Sequence, residues 1–469
     1  MREKWFFPRL REGVTEVASA KHKSSNPPVA TTGVQDFSKS RALQPKAHRL
    51  IPGGAHTYAK GDDQYPEQAP GFIVRGKGCR AWDLDGNEFI EYGMGLRAVA
   101  LGHAFEPVVE AAYKQMQLGI NFNRPAKIEV DLAEALLELI DGAEMVKFAK
   151  NGSDVTTAAV KLARAYTGRD LIAICGDQPF FSTDDWFIGT TEMNAGIPQA
   201  IIGMTLKFRY NDLESLRELF DQHPDQIAGV VMEAEAVSPP QPGYLAQVKE
   251  LCEERGAVLV FDELITGFRW HLGGAQKFHE VIPHLSTFGK ALGNGFAIAA
   301  LAGKREIMRL GGLDHDQKRV FLLSTTHGAE TQALAASLET IRIYRECHVV
   351  EFLWKQGQRL RVGINQAITR HKVAAQIELL GRPCNLTYRT RDADGQPSQA
   401  FRTLFLQELI HGGILAPSFV VSFSHSDEVI DRTIDVVDQA LAKYTKALAD
   451  GVDKYLIGRP VKPVNRRYS

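Results

Sequence analysis

The chain reads as an α/β protein, with a mostly parallel sheet flanked by helices and a smaller α+β unit beside it. Three observations predict this. The runs LIAIC (171–175), AGVVME (228–233) and AVLVFDE (257–263) are short, β-rich and bounded by Gly or charged residues, as buried strands are. From about residue 105 such runs alternate with stretches of helical period, the pattern of a parallel sheet covered by helices. In the last third, helical spacing is followed by ILAPSFVVSF (414–423), a strand candidate, and by an amphipathic helix over about 427–449, which together make the second unit.

The first forty residues are polar and aperiodic, and SSNPPVATTG (24–33) reads as a loop or flexible arm without a catalytic role. From Phe72, GFIVRGKGCRAWDLDGNEFIEY alternates apolar and polar residues around the turn signal Asp85-Gly86, as a hairpin with one buried face does. Val130, Ala133, Leu137 and Ile140 mark one face of a helix that ends near Gly142. At 469 residues the chain is too long for one core, and a domain size of roughly 150 residues allows about three units or two plus an arm. The expected division is an arm over 1–45, the first part of a small domain over 46–100, a large domain over 101–335 and the rest of the small domain over 336–469. There is no internal repeat.

Charge excludes several partners. Lys plus Arg total 55 against 56 for Asp plus Glu, so no basic excess draws the chain to nucleic acid or anionic lipid, and a small molecule is the default partner. No apolar run reaches the roughly 18 residues of a membrane helix, and MREKWFFPRLREG lacks the apolar stretch of a signal peptide. The five cysteines, Cys79, Cys175, Cys252, Cys347 and Cys384, show no paired metal-ligand spacing, so neither a metal site nor a disulfide framework is expected and a cytoplasmic location is.

Three motifs carry chemistry. In KNGSD (150–154), Ser153 follows a strand-like run and opens a helical one that stops at Gly168, which puts it where unpaired backbone N–H groups and the helix dipole attract phosphate. An ordinary Ser cap reads the same way. Asp262 and Glu263 end an apolar strand, where open α/β sheets place ligands, and a carboxylate there can keep a heterocyclic nitrogen protonated. A solvated strand end is the plainer alternative. Lys290 sits among small residues in STFGKALGNG (286–295), and glycines let a ligand approach a lysine that desolvation turns into an amine nucleophile. Taken alone, Lys290 is a surface lysine; a phosphate-binding loop is excluded because no Ser or Thr follows the Gly-Lys pair.

In this order, with IPGG (51–54), FDELITGFR (261–269), STTHGAETQALAA (324–336) and ILAPS (414–418), the motifs make the chain similar to class III aminotransferases of the pyridoxal-phosphate (PLP) fold-type I superfamily, in the glutamate-1-semialdehyde aminomutase-like branch. The resemblance spans about residues 50–431. It implies PLP as cofactor, Lys290 as the Schiff base lysine and proton shuttle, and Asp262 as the partner of the pyridine nitrogen. It also implies Gly152 and Ser153 at the phosphate, Phe180 stacked on one cofactor face, Leu264 on the other, and Glu233 nearby. Thr326 matches a threonine that reaches the phosphate of a neighbouring subunit, which implies a homodimer with shared active sites. Residues 190–199 match a mobile lid.

Departures from the aminomutase pattern narrow the substrate. Phe180-Phe181 replaces Tyr-His, which removes a hydroxyl and an imidazole from the cofactor pocket. Thr57 and Lys60 stand where a serine and an arginine hold the substrate carboxylate, and a lysine cannot fork onto that group. A short insertion carrying a substrate-facing glutamate is missing after ILAPS. The expected activity is therefore transfer of an amino group from an amino acid donor to a ketone or aldehyde acceptor. The polar loop of His56, Thr57, Tyr58, Lys60, Asp62 and Asp63 points to a keto sugar or hydroxylated ring as acceptor. The alternatives are glutamate-1-semialdehyde 2,1-aminomutase and a non-catalytic binding module with the same fold.

Overall fold

Thirteen strands fall into three sheets in the computed structural model, which describes residues 36–178, 180–464 and 466. The loop expected over 24–33 lies outside those residues, as does most of the expected arm. Within the arm's span, however, a helix starts at Ser38 and runs to Leu50. Its period is faint because only Ser40 and Ala47 are buried, and its first turn is held from outside. Asp85, in the hairpin turn, accepts from the N–H groups of Lys39 at 2.7 Å and Ser40 at 3.0 Å.

The hairpin region forms strands β1 (Ile73–Lys77), β2 (Arg80–Asp83) and β3 (Glu88–Glu91), antiparallel in sequence order. The central sheet comprises β4 (Met145–Ala149), β5 (Leu171–Cys175), β6 (Thr205–Phe208), β7 (Ile227–Met232), β8 (Val258–Asp262), β9 (Leu285–Phe288) and β10 (Ala299–Gly303). Their order is β4-β10-β9-β8-β7-β5-β6, and only β10 runs against its neighbours. Outside the central sheet lie the hairpin β11 (Ile377–Leu380) and β12 (Thr387–Thr390), and β13 (Ile414–Leu415) pairs parallel with β3.

The apolar runs of the central strands have a direct cause. Along β8, Val258 and Val260 face one core while Leu259 and Phe261 face another, and β5 and β7 alternate in the same way. Both faces are covered, so both registers of the two-residue period must be apolar. The helix Gly152–Thr167 covers one face; the helices Leu213–Gln222, Tyr244–Glu254 and Thr331–Glu346 contribute to the other.

Two expectations need correction. The run 414–423 is a strand only at β13: Pro417 has no N–H to give, and the next N–H groups bond to three separate elements, Phe419 to Leu386, Val420 to Tyr92 and Phe423 to Ala100. The helix over Lys127–Leu137 buries Leu132 and Leu136, with Ile140 just beyond it, while Val130 is exposed. Three leucines in that helix leave its inward face ambiguous, and packing selects it.

Among the described residues no helix is long and apolar enough to cross a membrane, no cluster of ligating side chains could hold a metal, and all five cysteines are unpaired.

Candidate active site

The carboxyl ends of β4, β5, β7, β8 and β9 carry the candidate residues to one rim of the sheet, the place where open α/β sheets bind ligands. After β4 the chain turns at Asn151, whose N–H donates to the Asp154 carboxylate at 3.0 Å, and the helix Gly152–Thr167 begins. The cap is thus Asn151, and Ser153 is free of that duty. Its Oγ accepts from the Thr183 N–H at 3.0 Å, which ties the helix start to the loop beyond β5.

Leu264 joins the three motifs physically. A Cβ built on Gly152 would lie 2.5 Å from Leu264 Cδ1, and one on Gly289 would lie 2.7 Å from Leu264 Cδ2. At both glycines the Leu264 side chain occupies the space a Cβ would take, so a side chain at either turn would force Leu264 to move.

Asp262 ends β8 and is almost fully buried, accepting from the Leu264 N–H at 2.9 Å. Burial pushes its carboxyl up to about 6 against the pull of that N–H and of the Lys290 amine. Glu233, one residue beyond β7, is clamped by its backbone: its N–H donates to Gln178 Oε1 and its C=O accepts from Gln178 Nε2, each at 2.8 Å. Burial, then the charge of Asp262, pushes the Glu233 carboxyl up to about 8, toward its neutral form. Lys290 follows β9 with φ +45°, a strained value for a non-glycine residue. Burial pulls its amine down, Asp262 and Glu233 oppose that, and Arg97 and Arg269 add to it. Glu263 does other work: its buried carboxylate accepts from the N–H groups of Ala275 and Gln276, both at 2.7 Å, and from the Thr266 hydroxyl.

The remaining expected residues divide. The Phe180 ring is 51% exposed and meets Phe187 edge-on at 5.6 Å, so a face is available for stacking. Phe181 is 1% exposed inside the core, also against Phe187, so it fills the interior and does not line a cofactor pocket as expected. Thr326 is exposed on a loop whose course is set by Asn121, which donates to the Thr326 C=O at 2.9 Å, and by an ion pair between Glu330 and Lys150. Residues 190–198 are irregular, with the Thr190 and Thr191 hydroxyls bonded to Phe187 and Ile188, and Gln199 opens a short helix.

Thr57 and Lys60 are not brought to the rim by any hydrogen bond or ion pair among the described residues; they sit on short 3-10 turns with Lys60 exposed. Two carboxylates of the polar loop are committed elsewhere. Asp62 pairs with His48 at 3.3 Å and Arg459 at 3.8 Å, and Asp63 with Arg466 at 2.6 Å. Those two carboxylates tie the loop to the first helix and the C-terminal tail, which weakens the basis for a hydroxylated acceptor.

Three residues of the rim were not anticipated: Gln178, Arg97 and Arg269. Gln178 follows a predicted strand end, the one signal that could have marked it. Arg269 lies in the quoted FDELITGFR, but its complete burial is a tertiary fact.

The pattern "Aminotransferase class-III" matches residues 62–441. The chain belongs to the class III aminotransferases. This aminotransferase is 31% identical over 422 residues to 3-aminobutyryl-CoA aminotransferase of Cloacimonas acidaminovorans, covering 88% of this chain and 99% of that one. It is 33% identical over 431 residues to glutamate-1-semialdehyde 2,1-aminomutase of Acetivibrio thermocellus, covering 87% and 98%. Its fold superposes on the PLP internal aldimine form of the Sphingopyxis sp. MTA144 FumI protein with a TM-score of 0.81 at 27% identity, covering 88% and 98%.

The aminotransferase is accordingly a PLP-dependent enzyme that moves an amino group from an amino donor to a keto acceptor, which sets aside the non-catalytic module. Its residues fit the cofactor. The rim offers a helix N-terminus for a phosphate, a buried carboxylate for a ring nitrogen, a partly desolvated amine for an aldehyde, and an exposed aromatic face.

Proposed function

We propose that Lys290 binds the cofactor covalently and carries the proton transfers of an amino-group exchange between an amino acid donor and a ketone or aldehyde acceptor. The supporting observation is the convergence of the phosphate turn, the strand-end aspartate and the lysine turn on the single side chain of Leu264. When bound, PLP supplies an aldehyde that condenses with amines and a ring that withdraws electrons from the substrate carbon.

This chain's residues do the rest. Ser153 and the N–H groups at the start of its helix would hold the phosphate, Asp262 would keep a proton on the ring nitrogen, and Phe180 and Leu264 would flank the ring. Glu233, whose carboxyl burial pushes toward the neutral form, would lie near the cofactor. Once displaced from the cofactor by the donor amine, the Lys290 Nζ, drawn toward neutrality by burial, would be the base that accepts the proton of the substrate carbon and passes it on. Thr326, exposed on its loop, serves the phosphate of a second copy, which makes the enzyme a homodimer with shared sites. Five unpaired cysteines accord with a cytoplasmic location.

Borohydride reduction of the holoenzyme followed by peptide mass mapping tests the covalent assignment, and a label anywhere but Lys290 overturns it. A screen of amino donors for loss of the visible cofactor band, then of carbonyl acceptors for its return, tests the exchange. Conversion of glutamate-1-semialdehyde alone to 5-aminolevulinate would replace it with the isomerisation named for several relatives.

A further inference from the structure

Between β3 and Leu101 the backbone does something that these residue types avoid. Met94, Gly95, Leu96 and Arg97 have φ values of +42°, +58°, +56° and +75°, a full left-handed turn of which only one member is glycine. The turn closes on itself, Arg97 N–H to Gly93 C=O and Val99 N–H to Met94 C=O, both at 3.0 Å. Left-handed conformations are disfavoured for residues with a Cβ, and such outliers persist where surrounding structure enforces them and function uses them.

The enforcement is visible. The Glu91 carboxylate accepts from the Met94 N–H at 2.7 Å, and the Arg97 C=O accepts from Arg269 Nη2 at 2.7 Å. Asn294, four residues beyond Lys290, bonds to the Leu101 N–H at 2.9 Å and the Gly102 C=O at 3.2 Å, which fixes the turn against the lysine segment. The result is to hold one guanidinium in place. Arg97 Nε donates to Asn385 Oδ1 at 2.8 Å, and its two terminal nitrogens have no protein acceptor among the described residues.

The charges beside it do not balance. Arg269 is fully buried, bonded only to carbonyls, and its Nε has no partner. Arg97 and Arg269 repel each other, and both act on the Lys290 amine. Of the nearby carboxyls, burial pushes Glu233 toward its neutral form, and Asp262 accepts from the Leu264 N–H. A half-buried guanidinium with two free terminal donors, on a turn that Asn294 fixes against the lysine segment, has the donors of a carboxylate receptor.

We propose that Arg97, presented by the left-handed turn 94–97, binds the carboxylate of the amino acid substrate and replaces the arginine that is absent from the 55–60 loop, where Lys60 stands. This rests on the reading of Lys290 as the reacting amine. It assigns substrate selection to a residue of the small-domain edge packed against the lysine segment, and makes the enzyme selective for carboxylate-bearing amines over plain amines.

The test uses the holoenzyme with Arg97→Gly, which accepts φ +75° without strain and so keeps the turn, and Arg97→Lys, which keeps the charge without the fork. Retention of the visible cofactor band confirms a folded, loaded site. L-alanine is compared with ethylamine and L-phenylalanine with phenethylamine for loss of that band. Arg97→Gly is expected to weaken the amino acids roughly 10- to 100-fold in apparent affinity while the amines change less than about threefold, with Arg97→Lys between. Equal losses for both members of each pair, or none, overturn the proposal.

Calorimetric titration of acetate, pyruvate and 2-oxoglutarate supplies a readout independent of turnover. Binding to the parent enzyme that falls roughly 10- to 100-fold in Arg97→Gly supports the assignment even if no amino acid proves to be a donor, an outcome that would sink the proposed exchange instead. Unchanged carboxylate binding, or none to the parent enzyme, overturns the role of Arg97.

Discussion

Two regions of the molecule carry dense polar chemistry in the sequence, the carboxyl-end rim of the central sheet and the loop over 55–66, and they hold their charges in opposite ways. At the rim, Asp262, Glu233 and Lys290 are shifted from their ordinary ionisation chiefly by burial, and Asp262 and Glu233 are held through bonds that involve a backbone group. In the loop, Asp62 and Asp63 face partners within ion-pair reach, partly in solvent, and the pairs tie the chain down. Density of polar residues therefore does not identify a site. Desolvated charge without a mate does, because only there does a ligand supply what the protein withholds.

The sharpest way to break this contrast is at Lys290. Lys290→Ala should lower amino transfer by on the order of 10³-fold or more with an unchanged circular dichroism spectrum. Single-turnover rates decide it, and a loss below tenfold would make the rim merely structural.

Next is the seat of Leu264. Gly152→Ala forces a Cβ into a 2.5 Å approach and should cost about 1–3 kcal/mol together with cofactor retention. Adding Leu264→Ala should restore part of the melting temperature, since the double variant removes the clash; no recovery would show that the two residues do not couple.

A smaller effect separates burial from pairing. In the cofactor-free chain, Glu233 titrates at about 8 against an ordinary 4.5, so between those values the folded state keeps a proton that the unfolded state has lost. Stability from this group is thus present below about 4.5 and falls as pH rises through about 8. Glu233→Gln cannot ionise, and its melting temperature should gain on the parent's by a few degrees between pH 5 and pH 8. An identical difference at both pH values would mean that the carboxyl is solvated.

The smallest change is expected in the loop. Asp63→Asn removes the partner of Arg466 and should cost about 1 kcal/mol or less, with kcat/KM within about twofold of the parent. A tenfold loss of activity would move the loop into the site and blur the distinction.

By itself the sequence determined the fold class and the three chemical motifs, because strand burial on two faces, glycine turns and strand-end carboxylates all leave local marks. KNGSD, FDELITGFR and STFGKALGNG could be read in order, and so could the family they resemble. What only the tertiary structure decided is which polar groups share a desolvated space. Phe181 and Phe180 are adjacent and alike in sequence, yet one fills the core and the other offers a face. The strand expected over 414–423 breaks up because its N–H groups find three partners in place of one. The left-handed turn at Arg97 leaves no local signature at all, since Met, Leu and Arg disfavour it everywhere except where Glu91, Arg269 and Asn294 hold it. Conformational preference is a property of neighbours in the chain, whereas desolvation and strain are properties of neighbours in space.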